Sequence, residues 1–299
     1  MSSEMAIHAD RVTVRYGRRT AVDDVTLSIQ SATVYALLGR NGAGKSSLVR
    51  AILGHLRPDH GRVAIFGEDV WTRRATLMDR VGVVPEEADA PPEMRVRDLG
   101  AFNAKLFSRW QQSAFDERIA RFGIEPRVRF GELSKGQKKQ VMLALALATS
   151  PDLVILDDPT LGLDVVAKKS LFEEVIADMA DRGITVLITT HDLGSIEAIA
   201  DRVGILRDGR LVLDEDVETM KERFRRIRFA KEPVVLDRGT LTTANVRRWG
   251  NGTEAVVTNF DDLAFERFRS EAQLERVEVS SMSLEEIFIA VSGENGVQS

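Results

Sequence analysis

One stretch, Gly39–Ser47, constrains the fold of this chain more than any other. It follows the apolar run Val34–Leu38 and precedes a helical spacing of apolar residues from Leu48 to Leu53. Between a strand and a helix, glycines let successive backbone N–H groups and the positive helix end point at one polyphosphate. The residues predicted to bind a nucleoside triphosphate are Gly39, Arg40, Asn41, Gly42, Ala43, Gly44, Lys45, Ser46 and Ser47.

Two residues of this loop have specific predicted roles. Lys45 is expected to reach the β- and γ-phosphates, and the Ser46 hydroxyl to ligate Mg²⁺. The alternative is a purely structural glycine-rich turn. Three glycines, a lysine and two serines in this order, in the correct strand and helix context, favour the phosphate loop.

Composition excludes several other classes of function. The 299-residue chain contains no cysteine, so it has no disulfide, no thiol nucleophile and no cysteine-based metal site. With 41 Lys and Arg against 46 Asp and Glu, its net charge is −5, and no general attraction to nucleic acid is expected. No apolar run approaches the roughly 18 residues of a membrane span, so we expect the chain not to cross a membrane by itself.

Alternating apolar residues before the phosphate loop predict an antiparallel hairpin, Ile7–Tyr16 with Ala21–Ile29. Tyr16 ends the first strand beside the turn. Its ring either stacks on an adenine or simply packs at the strand end, and its position alone leaves both interpretations open.

Two later apolar strands end in polar residues that can carry chemistry. Leu153–Leu156 leads into Asp157 and Asp158, and Ile184–Ile188 leads towards His191. A helix between them, Val165–Ala180, makes the strands parallel in a doubly wound sheet, whose carboxyl edge binds ligands. Asp157 is predicted to hold Mg²⁺ through water, Asp158 to polarise the attacking water, and His191 to reach the γ-phosphate or that water. The alternatives are an aspartate pair that caps the next turn and a structural histidine.

A helical insert is predicted at about 92–150. A proline-containing loop, 88–94, precedes helical spacing from Val96 to Phe122, and Leu133–Gln137 opens a further helix with Ser134 at its N-cap. A helix that begins with a serine and a glycine is a second candidate anion site.

The character of the sequence changes near Met220, which divides a domain at 1–220 from a small α+β domain at 221–299. Three short apolar runs (Pro233–Leu236, Ala255–Val257 and Val277–Val279) predict strands, a helix is predicted over Leu284–Val291, and a disordered tail after Gly293. The basic run 221–228 is interpreted as a solvated face rather than a nucleic-acid or lipid site.

Together, the phosphate loop, Leu133–Gln137, Leu153–Asp158, Leu161–Asp164 and His191 resemble the ATP-binding subunits of ABC transporters over residues 6 to about 220. The Leu-Ser-x-Gly-Gln signature before an Asp-ended strand is highly specific for that family. The resemblance implies a P-loop α/β fold with a mixed sheet, an antiparallel N-terminal β-subdomain and the helical insert.

The family likeness also implies roles for individual residues. Tyr16 becomes the adenine-stacking residue, Glu86 takes the γ-phosphate-sensing position beside the metal, and His191 is the switch histidine. The signature, which acts on the opposite subunit, comprises Leu133, Ser134, Lys135, Gly136 and Gln137. The implied dimer loop contains Gly162, Leu163 and Asp164, and the implied metal ligands are Ser46, Asp157 and Glu86.

Three positions depart from the family pattern. Lys135 replaces a glycine of the signature, and Glu86 replaces a glutamine, which adds negative charge and should raise the dependence on Mg²⁺. Asp158 stands where the family has a catalytic glutamate. It is one methylene shorter, so we expect slow hydrolysis.

The resemblance therefore implies an ATP-binding and ATP-hydrolysing subunit that powers export through a separate membrane permease. It also implies an ATP-dependent homodimer, the cofactors ATP and Mg²⁺, and a location on the cytoplasmic face of the membrane. The C-terminal domain, with Ser283–Phe288 near its end, more weakly resembles that of exporter subunits. The alternatives are a slowly hydrolysing ATP-gated switch and a soluble ABC protein acting on ribosomes or DNA. Against the last stand the single nucleotide domain and the absence of a strongly basic surface.

Overall fold

The computed structural model describes residues 5–230, 241–250, 252–271, 273–274 and 276–293. The chain folds into two compact units. The first comprises Met1–Asp192 with Leu206–Leu211, and the second comprises Leu193–Ile205 with Val212–Ser299. The domain boundary predicted near Met220 stays a prediction.

The described strands and helices alternate through the first unit. Its strands are β1 (Met5–Tyr16), β2 (Arg19–Gln30), β3 (Val34–Leu38), β4 (His60–Ile65), β5 (Glu68–Asp69), β6 (Val81–Val84), β7 (Leu153–Asp157) and β8 (Thr185–Thr190). Its helices are α1 (Lys45–Ile52), α2 (Val70–Met78), α3 (Val96–Leu106), α4 (Gln112–Arg121), α5 (Lys135–Ala148) and α6 (Val165–Arg182).

A parallel sheet forms the centre of the first unit, with the order β3–β8–β7–β6. Its strands are almost wholly buried because helices cover parallel sheets on both faces, which explains their continuous apolar sequences. Leu37 and Asp157 both align with Thr189 of β8. The carboxyl ends of three strands therefore meet at one edge, as the sequence predicts.

An antiparallel sheet of order β2–β1–β4–β5 carries the predicted N-terminal hairpin. Tyr16 pairs with Arg19 across its turn. The hairpin prediction is confirmed; helix α2 and strand β5 were not predicted, because neither has a clear apolar period.

The helical insert has a small core of its own. Phe115 of α4 is buried against α3, where a side chain on Gly100 would come within 2.6 Å of its ring. Trp110 packs on the same ring with the centroids 5.5 Å apart. The helical pattern predicted from Val96 to Phe122 is confirmed, and the structure divides it into two helices with a break between residues 106 and 112.

Charged side chains tie the insert to α6. Arg118 of α4 lies 3.3 Å from a carboxylate oxygen of Glu174 and donates to Asp178 at 2.6 Å. Arg121 and Arg182 complete the network by pairing with Glu174 and Asp178. Both carboxylates are almost fully buried, so each depends on these guanidinium groups.

The second unit is built around an antiparallel sheet of order β12–β13–β11–β14. Its elements are α7 (Leu193–Ile196), β9 (Arg202–Arg207), β10 (Arg210–Asp216), α8 (Val217–Arg223), β11 (Arg225–Phe229), β12 (Thr243–Trp249), β13 (Gly252–Val257), α9 (Asp262–Glu271), β14 (Val277–Ser281) and α10 (Leu284–Ser292). The Asp208–Gly209 turn joins β9 to β10 as predicted, and this connection contributes Leu206–Leu211 to the first unit.

The basic run of the second unit is not simply a solvated face, and that prediction is corrected. Arg226 and Arg228 lie on β11 and pair with Glu254 of β13, which is 3% exposed. Arg247 of β12 also donates to this carboxylate. The three guanidinium groups hold the pKa of Glu254 below its usual value although burial opposes the shift. The predicted strand 233–236 and the tail after Gly293 lie outside the described residues.

Candidate nucleotide site

The phosphate loop uses its glycines for two different reasons. Gly42 and Gly44 have φ of +81° and +108°, which side chains rarely adopt. A side chain on Gly44 would also come within 2.1 Å of the carbonyl oxygen of Ala21. Gly39 has no positive φ; it is required because a side chain there would come within 2.7 Å of the Leu206 carbonyl. The loop therefore tolerates no larger residue at these positions.

Helix α1 begins at Lys45 with no side chain bound to its first turn, because Gly44 occupies the N-cap and no acidic residue follows. Its first N–H groups are thus available to an anion. The ammonium of Lys45 is buried and donates to the carbonyl oxygen of Gly39 at 2.7 Å. Burial lowers its pKa, and the nearby carboxylates of Asp158, Asp157 and Glu86 partly offset this effect. A polyphosphate would supply the negative charge that this ammonium needs.

Tyr16 lies at the edge of the same loop. Its ring is 46% exposed, and its hydroxyl lies 3.5 Å from that of Ser47. An exposed aromatic face beside the phosphate loop suits a purine base, and the role in adenine stacking stays a prediction. Arg40 and Asn41 are exposed on the loop, whereas Ala43 is buried and accepts a hydrogen bond from the N–H of Gly209.

The aspartate pair is organised by Thr189 of β8. Its hydroxyl donates to a carboxylate oxygen of Asp157, and its carbonyl accepts the N–H of Asp158 at 2.9 Å. Asp158 has φ of +46°, which aspartate tolerates better than most residues. A residue with left-handed backbone directly after a buried strand interrupts the regular alternation of side-chain directions along that strand. Backbone strain of this kind is typical of functional sites.

His191 holds the second carboxylate. Its Nδ1 lies 3.0 Å from Oδ2 of Asp158, and the other oxygen, Oδ1, is buried without a hydrogen-bond partner. A buried, unpartnered carboxylate oxygen is costly unless it serves a ligand. The pair thus has the arrangement of a general base oriented by a histidine, with one oxygen left to accept a proton or bind water.

Glu86 follows β6 and is exposed, and its carboxylate is within electrostatic range of Lys45. Sequence analysis missed the residue that holds this turn. Lys139 of α5 is 4% exposed and donates to the carbonyl oxygens of Pro85 and Glu86. The signal was present, since Lys139 stands four and seven residues before Leu143 and Ala146 on a buried helix face.

The signature lies beside the predicted dimer loop in the same protomer. Ser134 caps α5 by accepting from the N–H of Gln137, whose side chain accepts in return from the N–H of Ser134. A side chain on Gly136 would make only ordinary contacts, 3.6 Å from Ala167. The fold of one protomer therefore does not require glycine at position 136. Leu133 is buried and Lys135 exposed.

The loop itself turns at Gly162, which has φ of +76°. Leu163 is buried, and Asp164 caps α6 by accepting from the N–H of Ala167 at 2.8 Å. Its predicted role in a dimer stays a prediction, because this cap is a sufficient structural reason for the aspartate.

A magnesium ion fits the donor set only as part of a nucleotide complex. No group of three or more His, Cys, Asp or Glu side chains in the described ranges is arranged to hold a metal. Mg²⁺ in nucleotide sites is bound through one or two protein oxygens, phosphates and water. Ser46, at the start of α1, and Asp157, at the end of β7, supply oxygens of this kind.

Comparison with known proteins decides the family. Residues 22–161 match the family model "ABC transporter". The chain is 32% identical over 217 residues to the bacitracin transport ATP-binding protein of Bacillus licheniformis, covering 72% of this chain and 71% of the relative. This chain belongs to the ABC transporter ATP-binding proteins.

Other matches agree. A Nod factor export ATP-binding protein of Burkholderia orbicola is 36% identical over 211 residues, covering 67% of each chain. A solved ATP-binding subunit of an ABC transporter shares the fold with a TM-score of 0.67 at 26% identity, covering 73% of this chain and 92% of that one. The α/β P-loop fold and the assignment as an ATP-binding subunit of an ABC transporter are thereby confirmed. Among the described residues, no helix is both long and apolar enough to cross a membrane.

Proposed function

We propose that this ABC ATPase hydrolyses Mg²⁺-ATP to power export through a separate membrane permease. The observation that carries the proposal is the Asp158–His191 pair, in which one buried carboxylate oxygen has no partner while Lys45 lies in electrostatic range. A base with one oxygen held and one available is suited to attack by water on a phosphoryl group. Export is inferred from the relatives, which are named for bacitracin transport and Nod factor export.

Each residue of the site has a proposed task in that reaction. The loop from Gly39 to Ser47 binds the phosphates, and Tyr16 stacks on adenine. Asp158 accepts the proton of the attacking water and His191 orients this carboxylate. When bound, Mg²⁺ neutralises phosphate charge, and Ser46 and Asp157, with Glu86 nearby, would hold it. Glu86 adds negative charge beside the phosphates, which increases the need for the metal.

A homodimer is proposed because one protomer holds two separate phosphate-binding elements. Ser134 and Gly136 begin α5 beside Leu163 and Ala167, whereas the phosphate loop begins α1. A head-to-tail pair with two-fold symmetry places the signature of each subunit on the ATP of the other and forms two sites. ATP would close the pair, and hydrolysis would release it.

The remaining proposals concern location and the second domain. The protein would lie at the cytoplasmic face of the membrane through its permease, with the insert and the segment Glu86–Arg97 as the contact. Residues 221–299 would form an accessory domain that influences partner choice or supports the dimer. No role in nucleic-acid binding is proposed, since Arg226 and Arg228 are engaged by Glu254.

A slow switch is the second candidate, because Asp158 is shorter than the family's glutamate. Steady-state phosphate release from the parent protein separates the two functions. We expect slow but measurable release that requires Mg²⁺ and that Lys45→Ala abolishes. A parent rate no higher than that of Asp158→Asn would favour the switch.

A further inference from the structure

Lys139 is a buried lysine that the proposed mechanism does not use. It lies in the second turn of α5, five residues after the helix-capping Ser134, and only 4% of it is exposed. Lysine is rarely buried to this extent unless its charge is satisfied. Its ammonium donates to two consecutive carbonyl oxygens, those of Pro85 at 2.7 Å and Glu86 at 2.5 Å.

Those two carbonyls belong to the turn that directly follows β6. Strand β6 lies at the edge of the parallel sheet, and its last ladder pair joins Val84 to Leu156. Pro85, the next residue, has no N–H to donate. Beyond this pair, the ammonium of Lys139 holds the turn that carries Glu86 to α5, the signature helix, which begins within Leu133–Gln137; the bonds are charge-assisted.

A second close approach fixes the same strand to the same helix. A side chain on Gly82 of β6 would come within 2.8 Å of the carbonyl oxygen of Ala146. Ala146 lies seven residues after Lys139, which is two helical turns or about 10 Å along α5. The strand and its turn therefore lie close against the helix at two points along its length.

The charge of Lys139 also bears on the ATP site. Burial lowers the pKa of Lys139, while the carboxylates of Asp158, Glu86 and Asp157 partly offset that shift. The ammonium thus lies within electrostatic range of the base and of Glu86.

We propose that Lys139 is a positioning residue that clasps the Pro85–Glu86 turn to the signature helix, so that Glu86 and the signature move as one body. A displacement of the insert then carries Glu86 towards or away from the phosphates together with Ser134. The proposal rests on the proposed function, because it gives Lys139 a role in positioning Glu86 at that same ATP site.

The test uses the full-length protein and replaces Lys139 by methionine, which preserves length but has no donor. Hydrogen exchange of the backbone amides of β6 (Val81–Val84), which is hydrogen-bonded to β7, should become about ten- to a hundredfold faster, since the end of this strand loses two bonds from a charged donor. The dissociation constant for ATP should stay within twofold of the parent value because the phosphate loop is intact. The kcat should fall about tenfold, and Lys139→Arg, which keeps a cationic donor, should recover most of it.

Lys138→Met is the matched control, because Lys138 is the next residue of α5, is only partly buried and lies near the Phe130 ring instead of the turn. It should change neither the amide exchange of β6 nor kcat. Unchanged exchange at these amides in Lys139→Met would overturn the proposal, as would a loss of ATP affinity parallel to the loss of kcat. If Lys139→Met does not fold, Lys139→Gln decides by the same exchange measurement. A parent protein without ATPase activity would contradict the proposed function. The exchange measurement would still test whether Lys139 holds the Pro85–Glu86 turn to α5.

Discussion

Replacing Asp158 by asparagine tests the chemistry of the site most directly. The change removes the carboxylate's charge and basicity and retains its shape. A general base contributes about 100- to 10,000-fold to a rate, so kcat should fall by this factor, which corresponds to roughly 3–5 kcal/mol of transition-state stabilisation. Mg²⁺-ATP binding should persist, because Lys45, Ser46 and Asp157 are unchanged.

The structure indicates that this loss will not come from unfolding. Asparagine tolerates a φ of +46° as well as aspartate does, and Oδ1 has no hydrogen-bond partner to lose. The contact of Oδ2 with the half-exposed His191 is worth about 1 kcal/mol, which lowers the melting temperature by only a few degrees. The folded population therefore stays near complete at assay temperature.

Asp158→Glu addresses the departure from the family pattern. The extra methylene extends the carboxylate by more than about 1 Å, a displacement that can change a rate on the order of 100-fold. Glutamate tolerates the left-handed backbone less well than aspartate, at a cost of about 1 kcal/mol. We expect the gain in reach to dominate and turnover to rise.

The assay is steady-state phosphate release at saturating Mg²⁺-ATP, with thermal unfolding measured in parallel. Asp152→Asn is the control: Asp152 precedes the opposite end of β7 and binds Arg80 and Arg109, so its loss should cost stability without changing kcat. A parent rate above that of Asp158→Glu would refute the argument from reach and show a site built for aspartate. A parent rate well above background that Asp158→Asn retains in full would show that Asp158 is not the base, whereas equal rates at the background level would favour the switch.

Three further predictions follow from the same geometry. Lys45→Ala should lose most ATP affinity in a titration with a fluorescent analogue; unchanged affinity would remove the phosphate-loop assignment. Burial lowers the pKa of Lys45, so ATP affinity should fall as pH rises through this lowered pKa, and calorimetry should detect proton uptake on binding that is absent in Lys45→Arg. Over the same pH interval the stability of the free protein should rise, because the unfolded chain keeps its lysine proton to higher pH. Gly136→Asp should block ATP-dependent dimerisation in sedimentation by placing a carboxylate against phosphate, whereas Gly136→Ala fits the protomer and should still assemble; equal dimerisation of Gly136→Asp and the parent would exclude this interface.

The sequence by itself determined the elements whose signal is local. The spacing of Gly42, Gly44 and Lys45 defines a loop because the required φ values and the helix start depend on adjacent residues. The apolar strands before Asp157 and His191 predicted their common sheet edge, because parallel strands align their carboxyl ends. The cap at Ser134 was likewise readable from the four residues that form it.

Only the tertiary structure decided what depends on partners distant in sequence. From the sequence, Lys139 is one more polar helix residue. The structure shows that the turn after β6 places the carbonyls of Pro85 and Glu86 against it. Arg226 and Arg228 were predicted to lie on a solvated face. The structure shows that both pair with Glu254 of β13. Whether a charge is buried depends on which elements pack around it. The sequence pattern does not show where an oppositely charged partner distant in sequence will lie.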